Sequence, residues 1–393
     1  MGSLQTPDLP PSNLPSIVLV HPTQKELHAT RTLNGESWRH ELSLPAYLRR
    51  ETHLENQDLT KNGGITCWIL VDGLAEPNKR PILASCESLR KRALIAREDG
   101  KVEESISHGI GSVFCNPEFR HRGYAQRMIE ELATKLDTHQ QAAGQKAYFT
   151  VLYSDIGKTF YSRRGWHAFP SSHIALPPVS DEQEGTFPCI NTRPLYSHDL
   201  AKLCEQDERI LREKMSTNMP SDSKIRVALI PDVHTMTWHH AREEFAAKEL
   251  LNRAPEIKGA YVKTDSGDQV WCIWTRMFGP DNTLHILRFM IEGETLAHSG
   301  EHEPRNLEHS DHSRVRAARA VLQAAQLEAG KWPMQQVEIW NPTPLVILAA
   351  RQINPSIRVI HREEESITSL RWHGDPGEHT KVEWLLNEKY GWC

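Results

Sequence analysis

The stretch Arg120-His121-Arg122-Gly123-Tyr124-Ala125 decides the fold of this chain, because it links a predicted strand to a predicted helix through a basic turn. The strand, Ile110–Cys115, precedes it, and an amphipathic helical pattern runs from Gly123 to Leu136. The N-terminal end of a helix carries unpaired N–H groups and a positive dipole end, which suit a pyrophosphate. Gly123 and the small Ala125 allow a phosphate to approach the backbone closely. By itself, however, a glycine in a turn before a helix is usually only a turn glycine.

A second motif follows the next predicted strand, Ala147–Tyr153, and narrows the interpretation. It reads Ser154-x-x-Gly157-x-x-Phe160-Tyr161-x-x-x-Gly165-Trp166, with a short helical pattern at Ile156–Arg163. Together the two segments resemble the GNAT superfamily of acetyl-CoA-dependent N-acetyltransferases. The signature of that superfamily is a strand, [Gln/Arg]-x-x-Gly-x-[Gly/Ala], a helix, a strand, and then Asn-x-x-Ala-x-x-[Leu/Phe]-Tyr-x-x-x-Gly-[Phe/Trp]. Ser154 and Gly157 depart from its Asn and Ala, and the resemblance covers roughly Ile17–Pro178.

The resemblance implies that acetyl-CoA binds along these two segments. Backbone groups at the end of the strand would pair with the pantetheine arm like an added strand, and N–H groups from His121 to Gln126 would hold the pyrophosphate. Ser154 stands where the family often has Asn, and we expect it to keep a side-chain contact with the cofactor. The predicted cofactor-binding set is Val113, Phe114, Cys115, Arg120, His121, Arg122, Gly123, Tyr124, Ala125, Gln126 and Ser154.

Tyr161 is the general acid that the resemblance implies. In the reaction a neutral amine attacks the thioester, and coenzyme A leaves as a thiolate. A free thiol has a pKa of about 8.5 and a tyrosine of about 10. A tyrosine hydroxyl near the sulfur can therefore protonate or hydrogen-bond the leaving group. The alternative for Tyr161 is an aromatic side chain that only packs on the sheet.

The residues identify no single base for the attacking amine. An amine with a pKa of about 10.4 is mostly protonated at pH 7, so a group must accept a proton. Glu87 and His108 are candidates by position. Some acyltransferases with tandem GNAT folds thread a C-terminal carboxylate into the active site as the base. The last ten residues of this sequence are unusually rich in apolar side chains, namely Trp384, Leu385, Leu386, Tyr390 and Trp392. We therefore hypothesise that the Cys393 carboxylate is the base, the alternative being a terminal strand packed against the core.

The order of predicted elements favours an α/β (α+β) mixed-sheet fold, the GNAT fold, in the first half, and a second α+β domain after it. We predict an extended lead-in at 1–16, a GNAT N-acetyltransferase domain at 17–178, a linker at 179–190 and a C-terminal domain at 191–393. That last domain is either a degenerate GNAT-like copy or an unrelated domain that shapes the substrate site. The residues before its main helix, Ser310–Val315, lack a glycine and include Asp311, so no pyrophosphate is expected there.

Composition excludes several other classes of protein. A formal net charge of −5 over 393 residues argues against nucleic acid or an anionic membrane as the main partner. No apolar run approaches the roughly 18 to 20 residues of a membrane helix. Seven scattered cysteines without a C-x-x-C pair predict a reducing compartment, so the cytoplasm is expected. The histidines and acids between His298 and His312 lack the convergent spacing of a metal site, and no metal is predicted.

The layout of the whole chain resembles the fungal lysine N-acetyltransferases of lysine catabolism. This implies direct transfer of acetyl from acetyl-CoA to the ε-amine of free L-lysine in a ternary complex. A free amino acid brings an α-carboxylate and an α-ammonium that need an arginine and an acid, but the sequence offers too many of each to choose. A peptide or protein N-acetyltransferase and a non-catalytic CoA-binding module stay as alternatives. The oligomeric state is not predicted.

Overall fold

A computed structural model of the chain describes residues 9–141, 145–180, 192–217, 225–294 and 309–393. The first half contains β1 (Ile17–Val20), α1 (Gln24–Trp38), α2 (Leu44–Glu55), β2 (Ile65–Asp72), β3 (Ala84–Ala96), β4 (Val102–Cys115), α3 (Tyr124–Leu136), β5 (Ala147–Ser154), α4 (Thr159–Ser162), β6 (His167–Ala168) and β7 (Ser172–Leu176). Thr23 caps α1 through a reciprocal capping box with Glu26, as its position before the helix predicts.

The second half contains β8 (Arg193–Leu195), α5 (Ser197–Ser216), β9 (Ile225–Leu229), α6 (Val233–Leu251), β10 (Gly259–Lys263), β11 (Gln269–Met277), β12 (Thr283–Ile291), α7 (His309–Gly330), β13 (Gln336–Trp340), α8 (Pro344–Ile353), β14 (Ile360–His361), β15 (Ile367–Trp372) and β16 (Val382–Trp384). Short 3-10 turns precede α3, β16 and the C-terminal residues. None of the described helices is long and apolar enough to cross a membrane.

The strands form two mixed sheets. The first has the order β1-β2-β3-β4-β5-β15-β6, with β9 and β16 added where β3 extends beyond β2. The second has the order β14-β7-β13-β12-β11-β10-β8. In the first sheet β4 and β5 are parallel and joined through α3, and in the second β12 and β13 are parallel and joined through α7. The second half therefore repeats the topology of the first, as a GNAT-like copy requires.

The two halves exchange strands. β7 leaves the first half and pairs with β13, while β15 returns from the second half and pairs with β5 at Ile367–Trp372. A shared apolar core of both sheets fills the space between them, and it includes Val151, Trp271 and Tyr390. The predicted boundaries at 17–178 and 191–393 stay predictions, and most of the predicted linker 179–190 lies outside the described residues.

Several predicted elements differ in length from the observed ones. The sequence pattern predicts strands at Ile82–Leu89 and Ile110–Cys115, whereas β3 and β4 extend to Ala96 and back to Val102, because the two strands pair along one long antiparallel hairpin. The predicted helix Ile156–Arg163 shortens to the single turn Thr159–Ser162. The strands β9, β15 and β16 were not predicted, since each is short and completes a sheet made by distant parts of the chain.

Candidate active site

The candidate site lies where β4 and β5 separate. Their parallel pairing runs from Ile106 to Ile110 on β4 and ends opposite Leu152 on β5. Beyond this point β4 continues through a bulge against β3, and Ser112 has a positive φ of 50°. No described strand pairs with the β5 side of Val113–Cys115, as expected of a segment that pairs with a pantetheine arm.

The basic turn leads into α3 with the geometry of an anion-binding loop. His121 and Gly123 have positive φ values of 63° and 84°, and Gly123 is the N-cap of α3 without a side-chain cap. The side chains of Arg120, His121 and Arg122 are exposed. The Cys115 thiol interacts with the Ala125 N–H, and we expect the other N–H groups at the start of α3, with a positive helix end behind them, to hold a pyrophosphate.

Two side chains of the predicted cofactor-binding set, those of Tyr124 and Gln126, already have hydrogen-bond partners within the protein. Tyr124 is buried, and its hydroxyl donates to the Pro10 carbonyl at 2.5 Å, so only its backbone N–H can face a phosphate. Gln126 Nε2 donates to Glu130 at 2.9 Å. The predicted lead-in packs here as well, since a methyl group on Gly123 would lie 2.7 Å from the Ser12 hydroxyl.

Ser154 stabilises the turn between β5 and α4. Its hydroxyl donates to the Gly157 carbonyl at 2.7 Å and accepts from Ile156 N at 3.2 Å. Gly157 has a positive φ of 73°, a conformation that glycine adopts without strain and alanine does not. The departure from the family pattern at these two positions is thus coupled through one turn. A cofactor contact by Ser154 stays a prediction.

Tyr161 lies on α4 against the core under α3, packed with Phe160 at a ring-centroid distance of 5.0 Å. Burial, followed by the nearby Cys86 thiol and Asp155, raises the pKa of Tyr161 above its usual value. The phenol is therefore protonated at neutral pH. A neutral phenol is the form that can donate a proton to a thiolate.

The last residue of the sequence lies on β4 at the separation point. A methyl group on Gly111 would lie 3.0 Å from the carbonyl oxygen of Cys393, and one on Gly109 would lie 2.7 Å from its Sγ. Glycines at alternate positions of one strand open a single face, and Cys393 fills that face. Lys91 borders the same space, with its Cε 3.1 Å from the methyl position on Gly109. Cys393 therefore lies beside the point where β4 and β5 separate, and its role as the base stays a prediction.

Glu87 faces the same bulge from β3. It lies opposite Gly111 in the strand register, and its carboxylate accepts from Ser112 Oγ at 2.7 Å and from Cys67 Sγ at 3.6 Å. Burial, reinforced by the Glu51 carboxylate, raises the pKa of Glu87, while Ser112 and Arg31 oppose the shift. A carboxylate with a raised pKa is a better proton acceptor near neutral pH.

His108, the other positional candidate, has a different environment. It is fully buried, and its Nε2 lies 3.2 Å from Gln140 Oε1. Burial and the neighbouring His139 lower the pKa of His108 to about 4. Of the two candidates, Glu87 is the one beside the separation point.

Sequence reasoning missed Gly109, Gly111, Lys91 and Tyr153. The alternation His108-Gly109-Ile110-Gly111 in a strand was the available signal, because glycine in a strand often marks the close approach of another backbone. Within the described ranges no group of three or more metal-ligating side chains comes together. In the histidine-rich stretch between His298 and His312, residues 298–308 lie outside those ranges.

A family model and a curated relative both match this chain. Residues 173–393 match the family model described as the LYC1 GNAT-like C-terminal domain. A lysine acetyltransferase of Yarrowia lipolytica is 25% identical over 309 residues, covering 69% of this chain and 75% of the relative.

Two solved structures have similar folds. A conserved Enterococcus faecalis protein of unknown function, a probable N-acyltransferase, superposes with a TM-score of 0.50 at 11% identity, covering 93% of this chain and 74% of that one. A GCN5-related N-acetyltransferase of Anabaena variabilis gives 0.50 at 13% identity, covering 91% and 73%.

Proposed function

Because the chain belongs to the LYC1 GNAT-like family, and is thus an acyltransferase that uses an acyl-CoA and an amine, we propose that it transfers acetyl from acetyl-CoA to the ε-amine of free L-lysine. The observation that supports the proposal is the separation of β4 and β5 after Ile110, where Glu87 and Cys393 lie beside the same segment of β4. Acetyl-CoA supplies the activated thioester.

Different groups at this junction of β4 and β5 serve the proton transfer, the oxyanion and the leaving thiolate. A carboxylate at the bulge accepts the proton of the attacking amine, and we assign this to the Cys393 carboxylate, with Glu87 as the competing base. N–H groups on β4 stabilise the oxyanion. Tyr161, protonated at neutral pH, donates to the departing thiolate.

The surroundings of Cys393 favour a small acceptor over a polypeptide. Apolar side chains from α2, β3 and α6 pack around Trp392 and Cys393, among them Leu54, Leu89 and Trp238. Residues of both halves of the chain therefore pack around Trp392 and Cys393, and we infer that little room is left there for a polypeptide. A protein acceptor would instead require an open groove. The six described cysteines are all free thiols, which agrees with a cytoplasmic enzyme, and we propose that location.

Thiol release from acetyl-CoA with a panel of amines tests the proposal. The panel contains L-lysine, polyamines, arylamines and peptides, and the expected result is release that depends on L-lysine. Release with peptides alone would overturn the small-molecule assignment. No release with any amine, together with retained CoA binding, would favour a non-catalytic CoA-binding module.

A further inference from the structure

A cluster of cationic and phenolic donors surrounds Trp340, at the end of β13. The Arg362 guanidinium carbon lies 4.2 Å from the Trp340 ring centroid. Lys389 Nζ lies 4.2 Å from the same centroid and 4.3 Å from that of Trp392. The Tyr153 ring, from β5, is 5.8 Å from the Trp340 ring. Three separate segments thus converge on one indole.

Several hydrogen-bond donors of this cluster have no partner among the described residues. Arg362 donates through Nη1 to the Ser172 carbonyl at 2.8 Å, but its Nε and Nη2 are buried and have no partner among the described residues. The Tyr153 hydroxyl is buried and unpartnered in the same way. A buried donor without an acceptor costs about 1–3 kcal/mol, more when it is charged. Such a group of donors indicates that an acceptor from outside the chain belongs here.

The charges around the cluster leave a positive excess. Glu338 is the acid that faces both cations, and it already accepts from Trp340 Nε1 at 2.6 Å and contacts His285 at 3.4 Å. Burial lowers the pKa of His285 to about 4, so this imidazole is neutral at pH 7.

Other charged groups lie at the edges of the cluster. His173, 4.0 Å from Glu338, also has a pKa lowered by burial, and Arg242 stacks on Trp392 at 5.3 Å. Asp155 also attracts Lys389, more weakly than Glu338 does. Burial lowers the pKa of Lys389 to about 7, and an anion beside it would favour its charged form.

Tyr153 is the member of this cluster that lies close to the acyl-transfer centre. Continuing the β4–β5 register places Tyr153 beside Gly111, on the face that Cys393 occupies. The Tyr153 hydroxyl touches Gly391, where even a methyl group would clash with it. Gly391 and Cys393 are two residues apart, which is at most about 7 Å of chain. The Cα and Nζ of a free lysine are about 6 Å apart when its side chain is extended, since each C–C bond is about 1.5 Å long.

We propose that Arg362, with Tyr153 and Lys389, binds the α-carboxylate of the amino-acid acceptor while its ε-amine reaches the junction of β4 and β5. Nε and Nη2 are the parallel donors of a guanidinium and match the two oxygens of a carboxylate. The inference rests on the proposed function and adds the reason for its selectivity, namely that an amine without a carboxylate leaves these buried donors unpaired.

L-Lysine and L-lysinamide are the matched pair of substrates, because they differ only in the carboxylate. We expect wild-type protein to prefer L-lysine in kcat/KM, and Arg362→Gln to lower this preference by about 10- to 100-fold, the range for a charge-assisted bidentate contact. Arg358→Gln, an exposed arginine of the same segment, is the control and should keep the preference. Tyr153→Phe and Lys389→Met are second variants in case Arg362→Gln does not fold, and each should lower the preference by a smaller factor.

Two results would overturn the inference while leaving the acyltransferase function intact. One is equal use of both amines by the wild-type protein. The other is a loss in folded Arg362→Gln that is the same for both amines. Failure of the proposed function is distinct, because then neither amine would release thiol. In that case calorimetric binding of the two amines to the CoA-bound protein still tests the site, and equal affinity would reject it.

Discussion

The substitution Gly111→Ala tests whether Cys393 occupies the acyl-transfer centre. The added methyl group would lie 3.0 Å from the Cys393 carbonyl oxygen and 3.4 Å from its carbonyl carbon, so the terminal residue must shift by a few tenths of an ångström. A misplacement of about 1 Å at a reacting group can cost on the order of 100-fold in rate. We therefore expect a fall in kcat of about 5- to 10-fold. Gly111→Val should lose about 100-fold, with an overpacking cost of about 1–3 kcal/mol.

The assay is steady-state thiol release with saturating acetyl-CoA and L-lysine, with CoA affinity and thermal unfolding measured in parallel. Gly377→Ala is the matched control, because nothing lies within 4 Å of a methyl group at that position. CoA affinity should be unchanged in both variants. If folded Gly111→Ala turns over as fast as Gly377→Ala, the reasoning is refuted.

Three further perturbations separate the roles assigned at the centre. Tyr161→Phe should lower kcat by about 10²- to 10⁴-fold, the usual contribution of a general acid, without a change in acetyl-CoA affinity; full turnover would remove Tyr161 from the mechanism. Glu87 is the competing base, and because its pKa is raised, its protonation would lower activity at a pH above that of an ordinary carboxylate. With Cys393 as the base, Glu87→Gln should keep the acidic limb of the kcat–pH profile, and loss of that limb would assign the base to Glu87 instead. One glycine added after Cys393 should lower kcat by at least about 100-fold while CoA binding persists, whereas one added before Met1 should have no effect, and normal turnover of the extended chain would reject the Cys393 carboxylate as the base.

Local sequence patterns were sufficient for the elements that hold the cofactor loop. Gly123 caps α3, and α3 ends at Leu136 as its apolar spacing predicts. The same holds for β5, whose predicted bounds, Ala147–Tyr153, agree with the observed ones to within a residue. These elements have strong helical or strand periodicity and clear terminal signals, so their neighbours in the fold add little information.

The pairing of distant strands was beyond such patterns. Nothing in Ile367–Trp372 specifies that β15 pairs with β5, or that β7 pairs with β13, because the partner of a short strand depends on which sheet edge the rest of the fold leaves open. The acceptor side of the site follows from these pairings. Arg362 and Lys389 meet at Trp340 only after the halves exchange strands, which explains why no arginine could be chosen for a carboxylate from the sequence.

The central claim is that acetyl-CoA acetylates free L-lysine on its ε-amine. Mass spectrometry of the product, with thiol release measured in the same reaction, tests this most directly. We expect one molecule of Nε-acetyllysine for each thiol released. Thiol release without an acetylated lysine, or acetylation at the α-amine alone, would contradict it.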